Sequence, residues 1–447
     1  MGLIDDLCDL QVPQSILFSP DGQKLVFATS LSFGHKAAGE DNAKTTLWHA
    51  ETGKERSAKQ LTSGKHNDNS AQFAPHGASI AFLSDRGKPG KSSAIHLLPF
   101  SGPGEAIALT KADSEAAVSK FEFSPDGSKI AFISADEKSE EKKKGEEEKD
   151  DADVWDEAWE YGRLRVVDVA TKDVTTLVER KAHVTNFAFS DDGKNIVFTQ
   201  TDTPDIESAG DGGVKVCIVD VNSKEIKDLT TFPSSLNFMK EMVWCGDKIY
   251  FIGPKAQTFN SANGVFQIDR TSAKTEHAHC AYGIENCAFA LIKRNGDVIV
   301  RVAHGLNDEI RMLEGRTLFS SRKSVSAYDA TFSKDSDEIL IAVAVSDVNH
   351  PTEVFTTTAS GGALIQLTDL GKKFADEKFG VCSIVSNQSF DKKVTLNCPF
   401  YTPASAPTKD DGTPSKPLPT VVLVHGGPYG RNGALPSAIN GVLIAAS

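Results

Sequence analysis

The chain has 447 residues, 39% hydrophobic and 24% charged, with Gly 35, Pro 19 and Phe 25 against only four Met. That length can bury a large core, and the composition suits turn-rich β structure better than a helical bundle. The formal charge is −13, with thirteen acids against five lysines between Asp136 and Glu160, so the basic face that nucleic acid or an anionic membrane would need is excluded.

Residues 1–10 show neither a basic nor an apolar export region, and no later segment approaches the ~18 apolar residues of a membrane span, so a cytoplasmic protein is expected. Seven cysteines (Cys8, Cys217, Cys245, Cys280, Cys287, Cys382, Cys398) are scattered with no Cys-x-x-Cys pair and read as buried free thiols of a reducing compartment.

A repeat starts at once. Phe18-Ser-Pro-Asp-Gly22-Gln-Lys-Leu-Val-Phe27 recurs at residues 73–82, 123–132 and 189–198, with weaker copies at 244–251, 291–300 and 332–341. Proline presets φ for the turn, aspartate accepts from nearby amides, and glycine takes the positive φ, so each copy predicts a hairpin. Seven outer strand pairs follow, at residues 46–62, 93–110, 163–177, 216–229, 264–277, 309–321 and 353–368. Seven hairpins followed by seven strand pairs predict an all-β, seven-bladed β-propeller of four-stranded blades over residues 1–375. Each blade is drawn from one stretch of chain, so no strand is exchanged between the termini and the ring closes by packing.

Between the inner and outer pairs of the third blade lies the acidic insertion, whose tract 136–153 predicts a disordered, mobile loop. It ends in Val154-Trp-Asp-Glu-Ala-Trp-Glu-Tyr161. Trp155, Glu157 and Trp159 there either line a substrate-facing cleft or, with the two tryptophans at i and i+4, anchor a short helix on the blade edge. His277-Ala-His279-Cys280 has metal-ligand residue types, but strand alternation divides them between two faces, so they read as a blade edge and no metal site is expected. No phosphate loop or dinucleotide fingerprint occurs, and no cofactor is expected.

Residues 381–401 read as strand, turn, strand, the first hairpin of a second domain spanning 376–447. The Pro-rich stretch 403–419 then punctuates the chain before an apolar run, Val421-Val-Leu-Val424, which predicts a strand buried on both faces. His425-Gly426-Gly427-Pro428 follows, the kind of glycine turn with which α/β-hydrolases aim backbone N–H groups at an oxyanion.

Seven Ser-Pro-Asp-Gly-type hairpins followed by a strand ending in His-Gly-Gly-Pro resemble the prolyl oligopeptidase family of serine peptidases, in particular its acylaminoacyl-peptidase and dipeptidyl peptidase V branch. The resemblance covers roughly residues 5–431. It implies an incomplete α/β-hydrolase domain after the propeller, a propeller that gates access, short peptides as substrates, Gly426 and Gly427 as oxyanion-hole donors and His425 as support for their loop. The chain departs from the family in having no Gly-x-Ser-x-Gly elbow, since Ser208 and Ser360 both lack the leading glycine. Triad residues are therefore expected to be absent, the chain to be truncated within the hydrolase domain, and these 447 residues to be inactive alone. The other reading is a stand-alone propeller serving as an interaction platform through its acidic loop; self-association as a homo-oligomer is open under either.

Overall fold

The computed structural model describes residues 3–34, 39, 41–100, 102, 104–149, 159–205, 212–232, 241–256, 261–278, 286–410 and 413–422. Among these, seven four-stranded antiparallel sheets follow one another in chain order and form a seven-bladed ring. The blades span residues 11–60, 69–108, 118–176, 183–232, 242–277, 286–321 and 324–366. A two-stranded hairpin, Gly380–Gln388 with Thr395–Pro403, follows. Blades and hairpin fall where the repeat and the turn pattern place them.

The Ser-Pro-Asp-Gly turn holds its shape through two side chains. In blade 3, Ser124 Oγ donates to Asp126 Oδ1 at 2.6 Å and accepts the amide of Lys129 at 3.0 Å, while Asp126 Oδ1 accepts the amide of Ser128 at 3.0 Å. Blades 1 and 4 repeat this with Ser19 and Asp21, and with Ser190 and Asp192. Blade 2 has His76 in place of the aspartate, and its Nδ1 accepts the amide of Ala78 at 3.1 Å. The charged-acceptor bonds hold the Asp126 and Asp192 carboxyls below the usual range, Ser124 and Ser190 being the leading causes.

The same turn also joins blades. A methyl group placed on Gly127 would lie 3.2 Å from Pro75 Cδ of the preceding blade, and one on Gly193 would lie 3.1 Å from Pro125 Cδ. Both glycines have positive φ, 73° and 68°. Glycine is thus required twice, by the turn and by the neighbouring proline. Blade 4 carries Asp191 where blades 1 to 3 have proline, and Asp191 Oδ2 accepts the amide of Gly246 in blade 5 at 2.8 Å. A hydrogen bond replaces a packing contact at the equivalent joint.

The core lies between blades. Seven clusters each join two neighbouring sheets, with Phe27, Phe82, Phe121, Phe187, Phe198, Trp244 and Phe251 among the largest fully buried side chains. Removing such a ring from water is worth roughly 1.5–3 kcal/mol each. The last cluster to close packs Ile16, Phe18, Leu25 and Phe27 of blade 1 on Ala327, Ala342, Ala344 and Val354 of blade 7. No strand crosses this seam, as expected, but packing is not alone there. Gln366 and Leu367 carbonyls accept the amides of Arg56 and Ala58 at 3.0 and 3.1 Å. Asp329, 1% exposed, accepts the amide of Phe18 at 2.7 Å and the Arg294 guanidinium at 2.6 Å, and so joins blades 6, 7 and 1.

Two expectations are corrected. Part of the acidic tract is ordered: Glu140–Glu148 is a helix, α2 (α1 being Leu3–Cys8). Glutamate and lysine are good helix formers, and Lys143–Glu140 and Lys144–Glu148 pair along its surface. Of the described cysteines only Cys217 is buried; Cys398 is exposed and the others lie between, Cys8 ending α1, Cys245 and Cys287 lying near the ends of first strands, and Cys382 standing with Cys398 on the outlying hairpin.

Asp329 gives the first prediction. Asp329→Ala leaves a buried amide and a partly buried guanidinium without their acceptor, and should lower unfolding stability by about 2–4 kcal/mol. Denaturant titration reads this directly; a loss below about 0.5 kcal/mol would show that the ring closes without help from Asp329.

Candidate functional site: the channel and the face at which the chain enters and leaves

Because each sheet runs first strand to last in chain order, the Ser-Pro-Asp-Gly turns collect on one face of the ring. The longer second-to-third-strand connections and the links between blades collect on the other. Both ends of the ring leave from this connection face. Ser32 donates its amide to the Leu10 carbonyl at 2.9 Å and its hydroxyl to that of Leu7 at 2.5 Å, tying α1 to blade 1. Leu7 packs on Phe374 and Phe379 of the exit segment, and Lys373 pairs with Asp6 at 2.6 Å. Asn349, in the blade 7 connection, accepts the amides of Phe379 and Gly380 at 2.9 and 3.2 Å and donates to the Gly380 carbonyl at 3.0 Å. The base of the hairpin Gly380–Pro403 is thereby tied to blade 7. Glu353 fastens the turn before it, accepting Thr368 Oγ1 and the amides of Leu370 and Gly371; burial pushes its carboxyl above the usual range.

The insertion opens on the same face. Its neck is closed by Asp136, whose amide donates to the Tyr161 carbonyl at 3.0 Å and whose carboxylate takes Arg163 at 2.8 Å and Arg165 at 3.2 Å.

First strands of neighbouring blades meet around the central channel. Among the described residues, six of the seven carry a register irregularity near their connection-side end, at Pro13/Ser15, Asn69/Gln72, Val118/Lys120, Val184/Asn186, Ala288/Ala290 and Val325/Ala327. A bulge adds one residue and re-aims a side chain. Those it frees are Gln14, Ser70, Ser119, Thr185, Phe289 and Ser326, all exposed. Among the described residues, the connection-side mouth is therefore ringed by polar groups and one phenylalanine.

Deeper, toward the turn face, the channel wall is charged. Lys120 of blade 3 donates to Asn186 Oδ1 and to the Phe187 carbonyl of blade 4, and lies 5.1 Å above the Phe187 ring. Lys293 of blade 6 reaches Asp191 of blade 4 and the Trp244 carbonyl of blade 5. Burial holds the Lys120 ammonium below its usual pKa and pushes the carboxyls of Glu122 and Glu241 above theirs, with Lys120 opposing both shifts. These side chains can grip polar groups of an extended peptide; they present no nucleophile with a base in hydrogen-bond reach. Sequence reasoning passed over them. The signal was available in Ser119-Lys-Phe-Glu-Phe123, where charge alternates with aromatics along a first strand.

The residues singled out from sequence fare as follows. Trp159 is half-buried in irregular backbone, outside α2; Trp155 and Glu157 lie outside the described residues. So do His425, Gly426 and Gly427. Val421 and Val422, which open the apolar run, are 73% and 79% exposed in irregular backbone rather than in a strand. A doubly buried strand needs a partner on each edge, and among the described residues none pairs with it. His277 ends blade 5 and stacks on Phe266 with ring centroids 4.3 Å apart, a blade-edge position; His279 and Cys280 are not described. No described helix is long and apolar enough to cross a membrane.

Fold and channel define a seven-bladed propeller with both its ends on one face. No family model matches the chain. It is 27% identical over 223 residues to the uncharacterized peptidase YuxL of Bacillus subtilis (strain 168), covering 46% of this chain and 32% of that protein. Among solved structures, the Pyrococcus horikoshii acylaminoacyl peptidase matches with TM-score 0.64 and 13% identity, covering 90% of this chain and 59% of that one. A Mycobacterium tuberculosis puromycin-hydrolyzing peptidase matches with TM-score 0.65 and 13% identity, covering 99% of this chain and 66% of that one. The chain thus spans less than two thirds of the Pyrococcus enzyme, and the match about a third of the Bacillus protein. The resemblance to propeller-bearing peptidases of the prolyl oligopeptidase kind is borne out, and at these identities the solved structures establish the fold.

The channel acids give a pH prediction. Glu241 has a raised folded pKa, so between its ordinary value and that raised value the native state binds more protons than the unfolded chain, and stability falls as pH rises through this window. Glu241→Gln removes this slope while Lys120 keeps Glu122 as its partner. The variant should melt above the wild type at pH 7 and level with it below pH ~4. Thermal melts across that range check this; parallel curves would refute it.

Proposed function

We propose that residues 1–447 are the propeller-bearing part of a cytoplasmic serine peptidase of the acylaminoacyl or dipeptidyl type, in which the propeller limits access to short peptides. The observation that carries this reading is the anchoring of Phe379 and Gly380, at the base of the hairpin Gly380–Pro403, on the connection face, from which the sequence runs on to Val421-Val-Leu-Val-His425-Gly-Gly-Pro428. In that reading Gly426 and Gly427 supply backbone N–H donors to the tetrahedral oxyanion and His425 braces their loop. The unpaired thiols suit a reducing compartment.

Acyl transfer also needs a nucleophile, a base and an orienting carboxylate, and the 447 residues contain no Gly-x-Ser-x-Gly elbow. Residues 1–447 alone should therefore turn over neither N-acetyl-aminoacyl nor dipeptidyl chromogenic substrates, whereas a longer form carrying an in-frame Gly-x-Ser-x-Gly segment should cleave them and lose activity on Ser→Ala replacement in that elbow. Inhibitor-sensitive turnover by residues 1–447 would end the claim of inactivity. Genomic sequence with no such segment downstream of codon 447 would favour an interaction platform instead.

A further inference from the structure

Among the described residues, the ring of bulges contains one aromatic side chain, and that side chain has a cationic neighbour. Phe289 is 42% exposed at the bulge between Ala288 and Ala290. The Arg301 guanidinium, on the next strand of the same blade, lies 5.8 Å from its ring centroid. The guanidinium is only loosely held. One terminal nitrogen is 3.4 Å from the Ser326 carbonyl of blade 7 and the other 3.5 Å from Asp308 Oδ1. Its Nε is shut away from water without an acceptor. Asp308 Oδ2 is already engaged, accepting the amide of Val325 at 3.0 Å.

Arg301 is held less tightly than the other enclosed arginines described near it. Arg163, Arg165 and Arg311 each reach a carboxylate at 2.5–3.2 Å. With Nε enclosed, an incoming group can reach only the two terminal nitrogens, whose present contacts are long, and a carboxylate spans such a pair with two parallel N–H···O bonds. The exposed ring beside it offers an apolar plate. We propose that Phe289 and Arg301 form a subsite for the C-terminal residue of a short peptide, Phe289 taking its apolar side chain and Arg301 its free α-carboxylate. The inference rests on the peptidase reading and deepens it: the subsite measures a substrate from its far end, so that peptides of matched length with a free carboxylate are favoured.

The test is calorimetric titration of the 447-residue chain with an acetylated tripeptide ending in leucine, as the free acid and as the C-terminal amide. The acid should bind about tenfold or more tighter than the amide. Arg301→Gln should bring the ratio close to one, Arg301→Lys should leave an intermediate ratio because charge survives without the fork, and Phe289→Ala should weaken acid and amide alike. Melting curves report folding, and if Arg301→Gln fails to fold, the lysine and alanine variants carry the test. Equal binding of acid and amide, no binding of either, or an acid preference that survives at full size in both arginine variants overturns the subsite. A longer form that cleaves short peptides with no preference for the free acid sinks the subsite and leaves the peptidase reading standing. An acid preference in residues 1–447 alongside a longer form that cleaves nothing supports the subsite and sinks the peptidase reading.

Discussion

A ring built from one run of chain has to close on itself, and here it does so without lending a strand from one end to the other. The joint depends on Asp329. Its two oxygens take a backbone amide from blade 1 and a guanidinium from blade 6 while its own strand belongs to blade 7. A carboxylate almost removed from water is costly unless both oxygens are satisfied, and an incomplete ring cannot satisfy them. The bonds therefore reward the closed geometry specifically, whereas apolar packing alone would tolerate small displacements. Everything on the connection face inherits its position from that closure, since α1 and the exit segment meet beside the seam.

Much of the architecture was legible because local and global requirements coincide in the same few residues. Ser124, Asp126 and Gly127 announce a hairpin wherever they occur, and the repeat of that signal fixes the number of blades. The second duty of the turn was not legible. Nothing in Pro75 or Gly127 alone says that they meet, because the contact exists only once adjacent blades are set side by side. Asp329 was hidden for the same reason: an acid inside Ala327-Tyr-Asp-Ala-Thr331 looks like an interruption until its partners arrive from blades 1 and 6. The acidic tract was misread by weighing charge above propensity, although lysines three and four residues from glutamates favour a helix.

For the site, the motif that carries the family resemblance and the groups that line the channel lie in different parts of the chain. The oxyanion role proposed for Gly426 and Gly427 could be raised from sequence because backbone donors need small residues. Arg301 lies inside Val298-Ile-Val-Arg-Val-Ala303, where strand alternation assigns it to a face without saying that the face borders a channel. Phe289 reads as one more core aromatic, and only the bulge turns it outward.

The neck of the insertion has an evolutionary corollary. A carboxylate gripped by two arginines and a main-chain bond to Tyr161 seal the blade at the point where the extra segment leaves it. With the junction fixed, doubling the length of the excursion adds only about 0.6 kcal/mol of closure entropy. The segment can therefore lengthen, shorten or change its charge across generations while the sheet beneath keeps its register. Variation in what this face meets can accumulate there, and the ring is spared it.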